Sequence, residues 1–149
     1  MKVLVLGIGN RLRGDDAIGS IIAEQLVQEG RIPAIDCGEM PDNYVSRVWQ
    51  VKPNEVILID ACSFGGQPGE IRVFEESEFD KIPASPLSTH QMPLPLLVAV
   101  MKAEPTLKCR FRLIGIQPQS IDMFTEGLSA PVAEAIPKVL ALLQQLATV

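Results

Sequence analysis

The sequence predicts an α/β fold, a three-layer α/β/α sandwich with a twisted, mostly parallel sheet of about five strands. Two unbroken apolar runs, residues 3–6 and 56–59, suit strands buried on both faces, as in a parallel sheet that helices cover. Apolar residues at helical spacing lie between and after these runs. Strands and helices therefore alternate along the chain in the order β-α-β-α-β-β-α-β-α.

The first half of the chain contains two strand–helix pairs. Apolar residues at helical spacing follow the first run: Ile18, Ile21, Ile22 and Leu26. Gly30 follows them as a stop signal. A weaker strand is predicted near residues 34–37, and a short helix at residues 44–51 ends before Pro53. The run at 56–59 is then the third strand.

The second half opens with a short strand at residues 71–74, after a glycine-rich turn. Residues 75–95 contain four prolines and predict a long loop, of a kind that is usually functional or mobile. A helix is predicted at residues 94–101, and the alternation of residues 108–113 predicts a strand with one solvent-facing side. Ser129 is an expected N-cap of the last helix. That helix has an apolar stripe: Val132, Ile136, Val139, Leu140, Leu143 and Leu146.

Composition excludes several classes of protein. A chain of 149 residues that is 47% hydrophobic predicts one compact domain, residues 1–149. The net charge of −5 and the absence of a basic stripe argue against nucleic acid as a partner. No run reaches the ~20 apolar residues of a membrane span. Three widely spaced cysteines without a CxxC pair indicate reduced thiols. We expect a cytoplasmic protein without membrane contact, and its size and charge are compatible with a monomer.

Three acidic residues follow predicted strands: Asp16, Asp36 and Asp60. In parallel α/β sheets, ligands bind beyond the carboxyl ends of the strands, which is where these residues are expected. His90 is the only histidine and lies in the predicted long loop. Two carboxylates and one imidazole form a plausible oxygen, oxygen and nitrogen metal set. We therefore take Asp16, Asp60 and His90 as candidate site residues.

The segment around Asp16 also allows two other interpretations. Asp15 or Asp16 could cap the helix predicted to begin at Ala17 and favour its dipole. The segment from Gly7 to Gly9 resembles a dinucleotide loop, but Gly14 follows Gly9 by five residues instead of three. Two carboxylates at that helix N-terminus would also repel a pyrophosphate. The nucleotide interpretation is therefore the weaker one, and no organic cofactor is expected.

A thiol hydrolase is a further alternative. Cys62 follows Asp60 by two residues, so on a strand both side chains lie on the same side of the sheet. Together with His90 they would supply a nucleophile, a base and an orienting carboxylate. Cys62 could equally be a small buried apolar residue.

Five blocks in order carry a family resemblance: Gly7-x-Gly9-Asn10, Gly14-Asp15-Asp16-x-x-Gly19, Asp60-Ala61, Pro68-Gly69-Glu70 and Thr89-His90-x-Met92. Together they resemble the [NiFe]-hydrogenase maturation endopeptidases over almost the whole chain. Gly115-Ile116-Gln117-Pro118, and aspartate instead of glutamate at position 16, are similar to the hydrogenase-3 (formate hydrogenlyase) branch.

The resemblance implies an activity and a partner. Such enzymes remove a short C-terminal extension from the hydrogenase large-subunit precursor after nickel insertion. It implies metal binding and catalysis by Asp16, Asp60 and His90, and substrate recognition by the segment that contains Asp36 and Gly38. Our hypothesis is that the substrate supplies the nickel and that the enzyme reads it through these three side chains. A nickel-sensing chaperone without hydrolytic activity is the alternative with the same ligands.

Overall fold

The computed structural model describes residues 2–82, 92–122 and 124–147. Its strands and helices follow the predicted order. They are β1 (Val3–Gly7), α1 (Ile18–Glu29), β2 (Ala34–Asp36), α2 (Val45–Val51), β3 (Glu55–Ala61), β4 (Ile71–Glu75), α3 (Leu94–Lys102), β5 (Arg110–Ile116) and α4 (Ala130–Ala147). Among the described residues, no helix is both long and apolar enough to cross a lipid bilayer.

The five strands form one sheet in the order β2-β1-β3-β5-β4. β1, β2, β3 and β5 run parallel, and only β4 is antiparallel to its neighbour β5. The predicted α/β sandwich with a mostly parallel, five-stranded sheet is thus confirmed. From β1 the chain passes to β2 on one side and later to β3 on the other. This change of direction creates a crevice between the carboxyl ends of β1 and β3, where α/β proteins bind ligands.

Two apolar clusters cover the two faces of the sheet. Because side chains alternate along a strand, β1 and β3 each contribute to both clusters. One cluster joins the sheet to α2 and α3, and its fully buried members include Leu6, Val48, Leu58, Leu97 and Met101. The other joins the sheet to α1 and α4, and its members include Val5, Ile22, Ile59, Val139 and Leu143. The parallel strands are buried on both sides, as their unbroken apolar runs predicted.

Two expectations about the second half of the chain are wrong in part. The predicted loop at residues 75–95 begins with a 3₁₀ helix, Glu76–Lys81, held by a capping box between Glu75 and Glu78. The predicted solvent-facing side of β5 is not open at Arg112, whose side chain is 12% exposed. Its Nη2 donates to Oε1 of the buried Glu55 at 2.8 Å. The guanidinium of Arg112 is therefore paired with a buried carboxylate instead of facing water.

Candidate functional site

Tight turns at the end of β1 bring two acidic segments together. A Cβ on Gly9 would collide with the backbone carbonyl oxygen of Asp16. A Cβ on Gly19, in the first turn of α1, would collide with the carbonyl oxygen of Ile59. Only glycine permits such close backbone contact. The segment that carries Asp16 is consequently pressed against the carboxyl end of β3, where Asp60 follows Ile59.

Asp16 lies in a 3₁₀ turn, Gly14–Ala17, that precedes α1. Its side chain is buried, and Oδ2 accepts a hydrogen bond from the backbone N–H of Asn10 at 3.2 Å. The N-cap residue of α1 is Ala17, and no side chain caps either this turn or the helix. The expectation that Asp15 or Asp16 caps the helix is wrong, because the 3₁₀ turn separates both side chains from its first free N–H groups.

Asp15 has a different role from its neighbour. It is 1% exposed, and its carboxylate accepts four hydrogen bonds. Oδ2 accepts from the backbone N–H groups of Gln119 and Ser120, and both oxygens accept from Ser129. Ser129 directly precedes α4, the position expected of an N-cap, and its hydroxyl donates a hydrogen bond to Asp15. Asp15 therefore ties the turn that carries Asp16 to the segment between β5 and α4.

Asp60 lies inside β3, one residue before its end, and not just past the strand as expected. It is 9% exposed and stands in register with Gly115 of β5. Even-numbered residues of β3, Val56 and Leu58, share the face that Cys62 also packs on. The alternation of the strand puts Asp60 on that same face, next to the crevice between β1 and β3.

The thiol of Cys62 is a poor nucleophile in this setting. Burial, followed by the negative charge of Asp60, raises its pKa from 9.0 to about 11 despite the nearby guanidinium of Arg72. The thiolate is the reactive form, and it is scarce at neutral pH when the pKa is this high. The three cysteines, all of them described, are free. Burial of the thiol favours the interpretation of Cys62 as a small buried residue over a thiol hydrolase, whose base, His90, lies outside the described residues.

Asp36 and Gly38 form a second cluster at the same edge of the sheet. Oδ1 of Asp36 accepts from the hydroxyl of Ser20 at 2.7 Å and from the N–H of Gly38 at 3.1 Å. The guanidinium of Arg11 lies 3.5 Å from Oδ2 and also pairs with Glu24. Gly38 has φ +57°, which favours glycine, and its carbonyl accepts from the N–H of Gly9 at 2.8 Å. The turn after β2 is thereby fixed to the turn after β1.

Asn10 connects these turns, a role that its sequence pattern did not reveal. Its N–H donates to Asp16, and its side-chain amide donates to Glu39 at 2.8 Å. Its Oδ1 accepts from the N–H of Leu12 at 2.8 Å, an Asx turn that the asparagine after Gly9 could have signalled.

Gln117 is a second anchor that the sequence did not reveal. Its Oε1 accepts from the N–H groups of Phe64 and Gly66, which holds the loop after Asp60.

The third predicted ligand, His90, lies outside the described residues. Within residues 2–82, 92–122 and 124–147, no group of three or more histidine, cysteine, aspartate or glutamate side chains could hold a metal ion. The structure places Asp16 and Asp60 on contacting segments at one crevice. Asp36 is the last residue of the neighbouring strand β2, and not just past it as expected. The predicted set of three ligands remains a prediction, because one of its members is not described.

The chain is similar to hydrogenase maturation proteases both in sequence and in structure. The family model for hydrogenase maturation proteases matches residues 18–146. The hydrogenase 3 maturation protease of Escherichia coli K12 is 28% identical, over 93% of this chain and 86% of its own. The crystal structure of the [NiFe] hydrogenase maturation protease HycI from Thermococcus kodakarensis superposes with a TM-score of 0.80 at 33% identity, covering 97% of this chain and 90% of that one. The endopeptidase HybD of E. coli superposes with a TM-score of 0.76 at 26% identity, over 97% and 93% of the two chains.

Proposed function

Because this chain belongs to the hydrogenase maturation protease family, we propose that it removes the C-terminal extension of a [NiFe]-hydrogenase large-subunit precursor once nickel has been inserted. The chain is a peptidase of this family, and its relatives include a protease of hydrogenase 3. The substrate, the nickel dependence and the residues that act are our proposal.

One observation supports the proposal: two buried aspartates lie on segments whose backbones contact each other at the carboxyl end of β3. Asp16 and Asp60 are 6% and 9% exposed, and glycine contacts hold their backbones together. Two acids at the ligand-binding edge of a parallel sheet are suited to contact a divalent metal that a substrate brings with it.

The third ligand in the proposal is His90, four residues before α3 begins. Residue 90 lies outside the described part of the chain, so its proposed role rests on the sequence resemblance. Imidazole is also a ligand that nickel accepts in proteins.

Two carboxylates and one imidazole leave coordination positions open. We propose that the three side chains hold the nickel centre of the precursor, so that the scissile peptide is aligned only when the metal is present. Asp16 or Asp60 then accepts a proton from the attacking water. Asp36, at the end of β2, and Gly38, in the turn that follows, are proposed to contact the precursor's backbone.

The decisive test is a cleavage assay on a hydrogenase large-subunit precursor, nickel-loaded and nickel-free, followed by intact mass spectrometry. Loss of a C-terminal peptide from the loaded precursor alone is the expected result. Equal cleavage of both forms would remove nickel from the mechanism. If the protein binds the loaded precursor but shortens neither form, the nickel-sensing chaperone becomes the better interpretation.

Single variants then assign the residues. Asp16→Asn, Asp60→Asn and His90→Ala should each lower kcat by at least 100-fold, since loss of a positioned catalytic group typically costs 10²–10⁴-fold. Asp80→Asn is the matched control, because Asp80 is an exposed aspartate of the 3₁₀ helix after β4. Circular dichroism should show that all four variants fold. Full activity in any of the first three would exclude that residue from the mechanism.

A further inference from the structure

The rim of the crevice carries two exposed apolar side chains, Leu12 and Phe124. Leu12 is 50% exposed and Phe124 is 81% exposed. Among the described residues only two other large apolar side chains, Val27 and Leu96, reach this level of exposure. Isolated exposed leucines are common, but adjacent apolar residues beside a functional crevice are typical of recognition surfaces.

Backbone hydrogen bonds place these two residues side by side. The N–H of Thr125 donates to the carbonyl of Leu12 at 3.0 Å, and the N–H of Gly14 donates to the carbonyl of Thr125 at 2.7 Å. Arg13, which is 3% exposed, donates from Nε to the carbonyl of Ile121 at 3.3 Å. The segment after β1 that bears Leu12 and the segment after β5 that bears Phe124 are therefore fixed to each other and to the turn of Asp16.

Phe124 also adopts a backbone conformation that aromatic residues rarely adopt. Its φ is +60°, in the left-handed region that favours glycine. Such strain is usually compensated by burial or by a specific contact, yet this ring remains largely in solvent. Strained residues of this kind cluster at ligand-binding sites. The conformation presents an exposed aromatic ring directly before Thr125, whose backbone is hydrogen-bonded to Leu12 and Gly14.

We propose that Leu12 and Phe124 form a docking clamp for an apolar side chain of the peptide substrate, next to the bond that is cut. This inference rests on the proposed peptidase function of the same crevice. The occupant is a peptide segment and not a second copy of this chain. One leucine and one phenylalanine expose at most a few hundred Å² together, far below the roughly 1,000 Å² that a stable protein–protein interface needs.

Continuity with the crevice supports the same occupant. The clamp and Asp16 belong to one hydrogen-bonded unit, since Asp16 donates its N–H to the carbonyl of Arg13 at 3.1 Å and Arg13 directly follows Leu12. The rim is thus held at a fixed position relative to the turn of Asp16. Aliphatic or methionine side chains suit a clamp made of one leucine and one aromatic ring, since both surfaces are apolar and the ring face accepts a thioether.

The test measures KM and kcat for precursor cleavage with Phe124→Gly and Leu12→Ser, and with Val27→Ser as the matched control. Val27 is 55% exposed, but it lies near the far end of α1, about 14 Å along the helix axis from Ile18. We expect each rim variant to raise KM about tenfold with kcat unchanged within twofold, and Phe124→Leu to restore part of the affinity. Val27→Ser should leave both constants unchanged.

Phe124→Gly also separates docking from folding. Glycine adopts φ +60° without strain, so this variant should melt at the same temperature as the wild type or higher while binding the precursor more weakly. Binding of uncleaved precursor, measured by interferometry, should fall in parallel with the rise in KM. Unchanged KM and binding in both rim variants, with an active wild type, would overturn the clamp. An inactive wild type would instead contradict the proposed function.

Discussion

Asp15 accepts two hydrogen bonds from Ser129, one from the backbone N–H at 2.7 Å and one from the hydroxyl at 2.8 Å. The two residues are separated by 114 positions and join the first turn of the chain to the start of α4. The adjacent Asp16 accepts instead from the N–H of Asn10, in the turn that follows β1. Asp15 thus has a structural role, and its neighbour Asp16 has the proposed chemical one.

Asp15→Asn should destabilise the protein by about 3 kcal/mol, because its amide would face N–H donors that then lack an acceptor. For a chain of this size, that corresponds to a fall in Tm of roughly 6–12 °C. Thermal unfolding followed by circular dichroism measures it. Ser129→Ala keeps the backbone contact and should cost only about 1 kcal/mol. An Asp15→Asn variant as stable as the wild type would contradict this assignment.

Gly19→Ala tests the contact between α1 and β3. Alanine favours a helix over glycine by about 1 kcal/mol, so propensity alone predicts a more stable variant. Collision of the new Cβ with the carbonyl oxygens of Ile8 and Ile59 predicts instead a loss of about 3 kcal/mol. Urea unfolding determines the sign. The loss should be accompanied by reduced activity, because the contact also positions Asp16 against Asp60.

The control for this substitution is Gly30→Ala. Gly30 has open space around its Cβ position, but its φ of +71° strains alanine. We expect a loss of about 1 kcal/mol and no change in activity. Equal losses at Gly19 and Gly30 would show that backbone strain, and not the close approach of two segments, explains the effect at Gly19.

The sequence predicted the element order because local patterns carry it. Strands buried on both faces require unbroken apolar runs, and residues 3–6 and 56–59 have them. Amphipathic helices require apolar residues on one side, as in α4. The 3₁₀ helix at Glu76–Lys81 was missed, because its capping box consists of two glutamates in an acidic, proline-containing stretch.

Site residues were predictable as candidates, but their partners were not. The carboxyl ends of parallel strands identified Asp16 and Asp60. A sequence pattern cannot distinguish two adjacent aspartates. The structural role of Asp15 becomes visible only from the N–H groups that donate to it, which lie more than 100 positions away. The pairing of Arg112 with Glu55 depends likewise on register between β3 and β5. Long-range contacts of this kind leave no local periodicity.

Cys62→Ala should retain activity within twofold, because the thiol is buried and protonated at neutral pH. Iodoacetamide at pH 7.5 should label Cys62 slowly in the folded protein and should not abolish cleavage. Loss of activity on alkylation, accompanied by loss in the variant, would restore the thiol hydrolase. The serine variant is a poor substitute, since it would bury a hydroxyl among apolar neighbours.

The same thiol predicts a pH dependence of stability. Its pKa is about 11 in the folded state and 9.0 ordinarily, so the folded protein keeps a proton that the unfolded chain loses. Stability from this group is therefore intact below pH 9 and falls as the pH rises toward 11. The difference in unfolding free energy between wild type and Cys62→Ala should shrink across that interval. A constant difference would show that the thiol does not titrate differently in the two states.

The buried pair of Glu55 and Arg112 should contribute to stability without affecting the site. Glu55 is 1% exposed at the amino edge of β3, opposite the crevice, and Arg112→Met leaves it only the looser contact with Arg110, at 3.8 Å. We expect a loss of about 3 kcal/mol, the low end of the cost of breaking a buried pair. Lys102→Met breaks an exposed pair with Glu76 and should cost less than about 1 kcal/mol. Adding Glu55→Leu to Arg112→Met should recover much of the loss, because no lone charge then remains. Cleavage at 25 °C should be unchanged in every variant that stays folded, and a selective fall in kcat for Arg112→Met would show that this edge of the sheet communicates with the crevice.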